Sequence, residues 1–170
     1  PAAGLRPVET AAALTGRPGA QAREAVASAA RTTIARAGLA TFVTVDDAGH
    51  PQARIVDPFP VEDDFTVWIG TTAASRKVAQ IAKDPRVSLL YFDKSGGGYV
   101  TLVGRAELVR DAREKARRWK EEWSAFYTDR NRGDDYVLIR VVPSRLEISA
   151  PALGMNNDPA TWTPVILKLR

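Results

Sequence analysis

Short apolar runs separated by turn residues are the feature of this chain that most restricts its fold. The runs are rich in Val, Ile, Phe and Thr, as strands are, and they cover residues 39–45, 52–58, 65–69, 87–92, 99–109 and 136–148. Most neighbouring runs are joined by short segments that contain Gly, Asp or Pro, such as residues 46–51, and such segments favour hairpins. The chain is therefore predicted to form an antiparallel sheet of about six strands.

Three segments with a helical spacing of apolar residues interrupt these strands. They are predicted over residues 21–37, 74–83 and 111–127. The third carries Trp119 and Trp123 on one stripe, which favours packing in the core or at a dimer contact over contact with a ligand. Since the strands are linked mainly by hairpins, an α+β, mainly β fold with a closed or partly closed barrel is expected, because closure hides sheet edges. A Rossmann fold is disfavoured, because no glycine fingerprint follows the first strand.

The composition indicates one folded domain. With 170 residues, of which 45% are hydrophobic, the chain suits a single core over residues 21–170, preceded by a flexible arm over residues 1–20 that is rich in Ala, Pro, Gly and Thr. The net charge of +4 is small and dispersed, so no nucleic-acid partner is expected. No run approaches the roughly 18 apolar residues of a membrane span, so no membrane partner is expected either. A cytoplasmic location is expected, with export left open because the sequence begins at Pro1 and not at Met.

Cysteine and histidine chemistry is largely excluded. The chain has no cysteine, which rules out disulfides, thiolate metal sites and a cysteine nucleophile. Its one histidine, His50, lies between Gly49 and Pro51, and we interpret it as a turn residue rather than a metal ligand or a member of a catalytic triad. No metal site is predicted.

Residues 68–78 have the outline of a phosphate site. A predicted strand ends at Gly70, passes through small hydroxyl residues, and leads into a helix with Ser75, Arg76 and Lys77 in its first turn. The free N–H groups and the positive dipole end of a helix favour an anion, and basic side chains add charge-assisted hydrogen bonds. The alternative interpretation is an ordinary capped surface helix with a solvated Arg-Lys pair.

The order of these elements resembles the FMN-binding split barrel of the pyridoxamine 5'-phosphate oxidase-like superfamily, and especially its general stress protein 26 branch. The resemblance covers about residues 30–148, and three motifs carry it: Ala53-Arg54-Ile55-Val56-Asp57, the strand that leads into Ser75-Arg76-Lys77, and Gly104-Arg105-Ala106-Glu107. It implies a six-stranded antiparallel split β-barrel with flanking helices. It also implies a homodimer with cofactor sites at the interface and a small-molecule substrate.

The resemblance further implies a set of cofactor contacts. Arg54 would contact the flavin phosphate or its neighbourhood, and Ser75, Arg76 and Lys77 would hold the 5'-phosphate. Tyr99 stands where many relatives have a glutamine that reaches the flavin. The remaining implied contacts are Ile55, Val56 and Asp57 along the isoalloxazine, and Ile69, Gly70 and Thr71 on the strand before the phosphate site. No side chain is predicted to act as a general acid or base, because the cofactor supplies the chemistry in such proteins.

The implied function is that of an FMN-dependent oxidoreductase of the general stress type, with an unknown small-molecule substrate. Two alternatives are left open: a flavin-binding or flavin-sequestering stress protein without turnover, and an oxidoreductase that uses the deazaflavin F420. Vitamin B6 synthesis is disfavoured, because true pyridoxamine phosphate oxidases carry a C-terminal Arg and His pattern and this chain has no histidine after His50. The same lack of histidines disfavours a heme-binding relative.

Overall fold

The fold was described from a computed structural model that covers residues 19–127 and 135–170. The predicted arm lies almost wholly outside these residues, since α1 begins at Gly19. The helices are α1 (Gly19–Ala37), α2 (Arg76–Lys83) and α3 (Ala112–Arg117). The strands are β1 (Ala40–Val45), β2 (Pro51–Val56), β3 (Val67–Thr72), β4 (Arg86–Asp93), β5 (Gly98–Val109), β6 (Tyr136–Ser149) and β7 (Val165–Lys168). None of the helices within the covered ranges has the length and apolar character needed to cross a membrane.

All strands of the covered ranges belong to one antiparallel sheet in the order β2-β1-β4-β5-β6-β3, with β7 paired to β6. The predicted number of six strands is wrong by one, because β7 is a four-residue strand. It forms by pairing with the long β6, a distant contact that its own short sequence does not reveal.

The sheet curls into a split barrel, as predicted, and does not close. Its end strands β2 and β3 do not pair, and the segment after β2 reaches β3 through a hydrogen bond from the Phe59 amide to the Trp68 carbonyl (2.9 Å). The inner face holds the main core, which includes Phe42, Leu89 and Leu102, all fully buried. Helix α1 packs on this core through residues such as Ala30.

The predicted third helix over residues 111–127 is wrong in length. Helix α3 ends at Arg117, Lys120 is extended (φ −107°, ψ 130°), and a short 3-10 turn follows at Glu121–Ala125. The break coincides with tertiary contacts of Arg118, whose guanidinium lies 3.7 Å from the Trp68 ring centre and pairs with Glu62 at 2.7 Å. These contacts stabilise a bend that helical periodicity does not encode.

Aromatic residues from the bend cover the outer face of β3 and β6. Trp119 and Trp123 pack edge to face, with ring centres 5.8 Å apart, and both lie against Tyr136. The prediction that this stripe serves packing therefore agrees with the contacts that the two tryptophans make in this structure.

Candidate functional site

The N-terminus of α2 carries unpaired hydrogen-bonding groups. Ser75 is its extended N-cap residue (φ −71°, ψ 149°), yet its side chain forms no capping bond, and its Oγ is buried without a partner in the covered ranges. Within the same ranges, the amide N–H groups of Arg76 and Lys77 have no backbone acceptor. A buried polar group without a partner costs about 1–3 kcal/mol, and a helix N-terminus favours negative charge. This helix end is therefore a candidate anion site.

Arg54 reaches this site from the neighbouring edge strand. Its Nη1 donates to the Thr44 Oγ1 (2.6 Å) and to the Phe42 carbonyl oxygen (3.3 Å), and its Nη2 donates to the Gln80 Oε1 (3.0 Å). The Thr44 hydroxyl in turn donates to the same Gln80 oxygen (2.5 Å). Arg54 is thus attached to both β1 and α2 through neutral acceptors.

The three cations of the site repel one another. Burial and the nearby Arg76 charge lower the pKa of Arg54, while burial and the Arg54 charge lower the pKa of Lys77. No carboxylate lies within ion-pair distance of any of the three in the part of the chain that the structure covers. By contrast, Lys83, about two turns further along α2, pairs with Asp47 at 2.5 Å. A phosphate with nearly two negative charges would offset this excess.

The predicted flavin-contact residues of β2 lie along a free sheet edge. β2 pairs only with β1, so every second residue turns its backbone N–H and C=O groups away from the sheet. Ile55 is 64% exposed and Val56 is buried. Asp57 follows the strand, is exposed, and pairs with Lys120 at 2.6 Å. Backbone groups and one apolar side chain are therefore available beside Arg54.

The predicted residues of β3 divide between the two faces of the sheet. Ile69 and Thr71 are buried, and Ile69 belongs to the main core. Gly70 faces the opposite side, where a Cβ atom would overlap the Trp123 ring. A residue with a side chain at position 70 would therefore displace the tryptophan, which makes glycine necessary for this packing.

Tyr99 is a further predicted contact that lies apart from Arg54 and the N-terminus of α2. It lies at the start of β5, three strands from β2, which corresponds to about 14 Å at the usual strand spacing. It pairs in register with Phe92, an exposed residue of the outer sheet face, whereas Arg54 pairs with the buried Phe42 of the inner face. Arg54 and Tyr99 therefore lie on opposite faces of the sheet.

Two residues of the site were missed by the sequence reasoning. Gln80 lies four positions after Arg76, so both occupy one face of α2, and this spacing could have identified it. Thr44 is fully buried on β1 and gave no signal, because its contact with Arg54 depends on the pairing of β1 with β2.

A cavity of about 640 Å³ opens next to Asp57. It lies between the C-terminal end of α1 and the segment that follows β2, and its lining is mainly apolar. Tyr91 contributes to its wall, and the hydroxyl of this tyrosine is buried without a partner in the covered ranges. Burial raises the pKa of Tyr91 far above its usual value, so its phenol is neutral.

Comparisons with known proteins support the fold described above. The family model described as "Pyridoxamine 5'-phosphate oxidase" matches residues 26–149. No curated protein matches the chain.

Many solved structures share the fold, among them the following three. General stress protein 26 from Bacillus anthracis str. Sterne is 21% identical, with a TM-score of 0.66 over 84% of this chain and 98% of the other. A Clostridium acetobutylicum protein related to general stress protein 26 is 16% identical, with a TM-score of 0.63 over 88% of this chain and 92% of the other. An FMN-binding, pyridoxamine 5'-phosphate oxidase-related protein from Nostoc punctiforme PCC 73102 is 12% identical, with a TM-score of 0.56 over 91% of this chain and 98% of the other.

Proposed function

The chain belongs to the pyridoxamine 5'-phosphate oxidase family, and from this premise we propose that it binds FMN and acts as a flavin-dependent oxidoreductase on a small-molecule substrate. The observation that carries the proposal is the group of three cations at the N-terminus of α2, which have no carboxylate partner among the described residues and lie beside the Ser75 hydroxyl, itself unpartnered there. A structural role alone does not account for cations that are brought together without counter-charges.

The phosphate of FMN would be held at this helix end. Ser75 would donate its hydroxyl, and the amide groups of Arg76 and Lys77 would point to the phosphate oxygens. The side chains of Arg54, Arg76 and Lys77 would supply the compensating charge. Ile55, Val56 and Asp57 would hold the ring, and the free backbone groups of the β2 edge would form hydrogen bonds with its polar atoms.

When bound, a flavin supplies hydride transfer, and the protein's part is binding, orientation and electrostatics. The apolar Ile55 and Val56 would keep water from the ring. The cavity beside Asp57 is the pocket that we assign to the substrate. Its volume of about 640 Å³ and mainly apolar lining suit a small organic molecule.

We also propose that the protein is a homodimer. Ile55, Leu90 and Ile166 are 64%, 37% and 50% exposed, and they belong to one row across the outer face of the sheet. The row runs through the cross-strand pairs Ile55–Thr41, Thr41–Leu90, Leu90–Thr101, Thr101–Glu147 and Glu147–Ile166. Three of the six residues in this row, which spans five strand spacings or about 24 Å, are thus exposed and apolar, with Thr41, Thr101 and Glu147 between them. A second copy would cover it with the same surface, and it would bring Tyr99 of one chain towards β2 of the other.

The test is a comparison of FMN, riboflavin and F420 as ligands of the purified protein, followed by rapid-mixing reduction with NADH and NADPH. We expect FMN to bind at least ten times more tightly than riboflavin, because riboflavin lacks the phosphate. Preference for F420 would refute the cofactor assignment. FMN binding with no reduction beyond that of free flavin would favour the alternative of a flavin-sequestering protein.

A further inference from the structure

We infer that Gln80 and Thr44 are positioning residues that orient Arg54 towards the FMN phosphate while leaving its positive charge uncompensated. This inference rests on the proposed function, because it concerns the same phosphate site. Neither Gln80 nor Thr44 belongs to the motifs from which the site was predicted.

The hydrogen bonds of Arg54 leave one side of its guanidinium free. A guanidinium has five N–H groups. The two Nη1 hydrogens donate to Thr44 and Phe42, and one Nη2 hydrogen donates to Gln80. The Nε–H and the second Nη2–H have no acceptor in the covered ranges. These two parallel donors are the pair that binds a phosphate in a bidentate manner.

The acceptors that orient Arg54 are all neutral. Elsewhere in the covered ranges, Arg86 is oriented by Asp84 and Arg145 by Glu147, whereas Arg23 and Arg31 donate to backbone carbonyl oxygens. A carboxylate in place of Gln80 would fix Arg54 equally well, but it would cancel the charge that an anion needs. A glutamine oxygen fixes the orientation without that cancellation.

Thr44 completes the arrangement. Its hydroxyl accepts from Arg54 and donates to the Gln80 oxygen, so that one oxygen of Gln80 accepts from both residues. Because Thr44 is fully buried on β1, it fixes α2 and β2 relative to each other at the point where the phosphate would bind. The guanidinium is thereby preorganised before the ligand arrives.

The decisive variant is Gln80→Glu, which keeps the size of the side chain and adds a carboxylate beside Arg54. We expect the Kd for FMN to rise by about tenfold or more while the Kd for riboflavin is unchanged, because only FMN presents a phosphate to Arg54. The thermal midpoint should stay the same or rise, since a new ion pair forms. A merely structural role of Gln80 would change both ligand affinities together.

Lys83→Gln is the matched control. It changes the net charge by the same one unit on the same helix, but it lies at an exposed pair with Asp47. We expect it to leave the ratio of FMN to riboflavin affinity unaltered.

A second pair of variants, Thr44→Val and Thr44→Ser, tests the orientation of Arg54 without a change of charge. The valine variant should lose FMN affinity, and the serine variant should retain it.

Both measurements use isothermal titration of the native protein and its variants with FMN and riboflavin at constant ionic strength. If the native protein does not bind FMN, the proposed function and this inference both fail. If the native protein binds FMN but Gln80→Glu has an unchanged FMN-to-riboflavin ratio, or if Lys83→Gln loses the same ratio, only the role of Gln80 is overturned. Unchanged FMN affinity in Thr44→Val would likewise remove Thr44 from the arrangement.

Discussion

Replacing both Arg76 and Lys77 by alanine should weaken FMN binding by about 3 kcal/mol. A charge-assisted hydrogen bond contributes about 1.5–3 kcal/mol, and we assign about 2 kcal/mol to Lys77 because it is partly buried. Arg76 is exposed, so solvent screens its interaction and we assign about 1 kcal/mol to it. The sum corresponds to a rise in Kd of about 150-fold.

The assay is a titration that follows the quenching of flavin fluorescence, with FMN and riboflavin measured in parallel. The Kd for riboflavin should change little, because the two side chains would contact only the phosphate. The matched control is the double variant of Lys83 and Arg86 to alanine, which also removes two positive charges. Both control residues are exposed and pair with Asp47 and Asp84, respectively.

Two results would refute this reasoning. An equal loss of FMN and riboflavin affinity would mean that the variant perturbs the fold or the ring site and not a phosphate site. An equal loss in the Lys83 and Arg86 control would mean that only the net charge of the protein matters. In either case Arg76 and Lys77 would be ordinary surface residues of a capped helix.

Four further predictions follow from single residues. FMN affinity should fall as alkaline pH deprotonates Lys77, and this should occur below the ordinary lysine pKa of 10.5 because burial and the Arg54 charge lower the pKa of Lys77. In a titration series, Lys77→Arg should remove this loss of affinity. An unchanged pH profile in that variant would contradict the assignment. If the proposed dimer forms, Phe92→Asp, at a 59% exposed site of the outer face, should convert it to a monomer in sedimentation experiments, whereas Phe126→Asp, at a 76% exposed site outside the sheet, should not. Tyr91→Phe should leave the thermal midpoint unchanged or raise it, because it removes a buried hydroxyl without a partner, and a clear fall would reveal a missed hydrogen bond. His50→Ala should change the free energy of unfolding by less than about 0.5 kcal/mol, because the turn is held by backbone amides that donate hydrogen bonds to the Asp46 side chain. A large loss of unfolding free energy in chemical denaturation would overturn the turn assignment.

The local parts of the fold were predictable because their signals lie within a few residues. The β-branched runs and the turn at Asp46–Pro51 predicted the first hairpin, and β1 and β2 pair across that turn. The start of α2 was predicted within two residues from Ser75 and the change to helical spacing. The third helix failed for the opposite reason, since its end depends on contacts of Arg118 with distant residues.

The candidate site shows the same division. Ser75, Arg76 and Lys77 are consecutive, so any helix that begins there presents them together, and the sequence could identify them as a possible anion site. Their assignment to FMN, together with that of Ile55, Tyr99 and the other implied contacts, stays a prediction that the binding experiments above test. The homodimer and the cytoplasmic location also stay predictions.

By itself, the sequence determined most of the segments that form strands and helices, except β7 and the end of α3, and where three positive charges are available. Only the tertiary structure decided that Arg54 reaches the N-terminus of α2, that Thr44 and Gln80 orient it without a counter-charge, and that Tyr99 lies on the opposite face three strands away. The physical reason is the range of the interactions. Helix caps and strand periodicity act over a few residues, whereas strand pairing and burial join residues from distant parts of the chain, so their outcome depends on how the whole sheet folds.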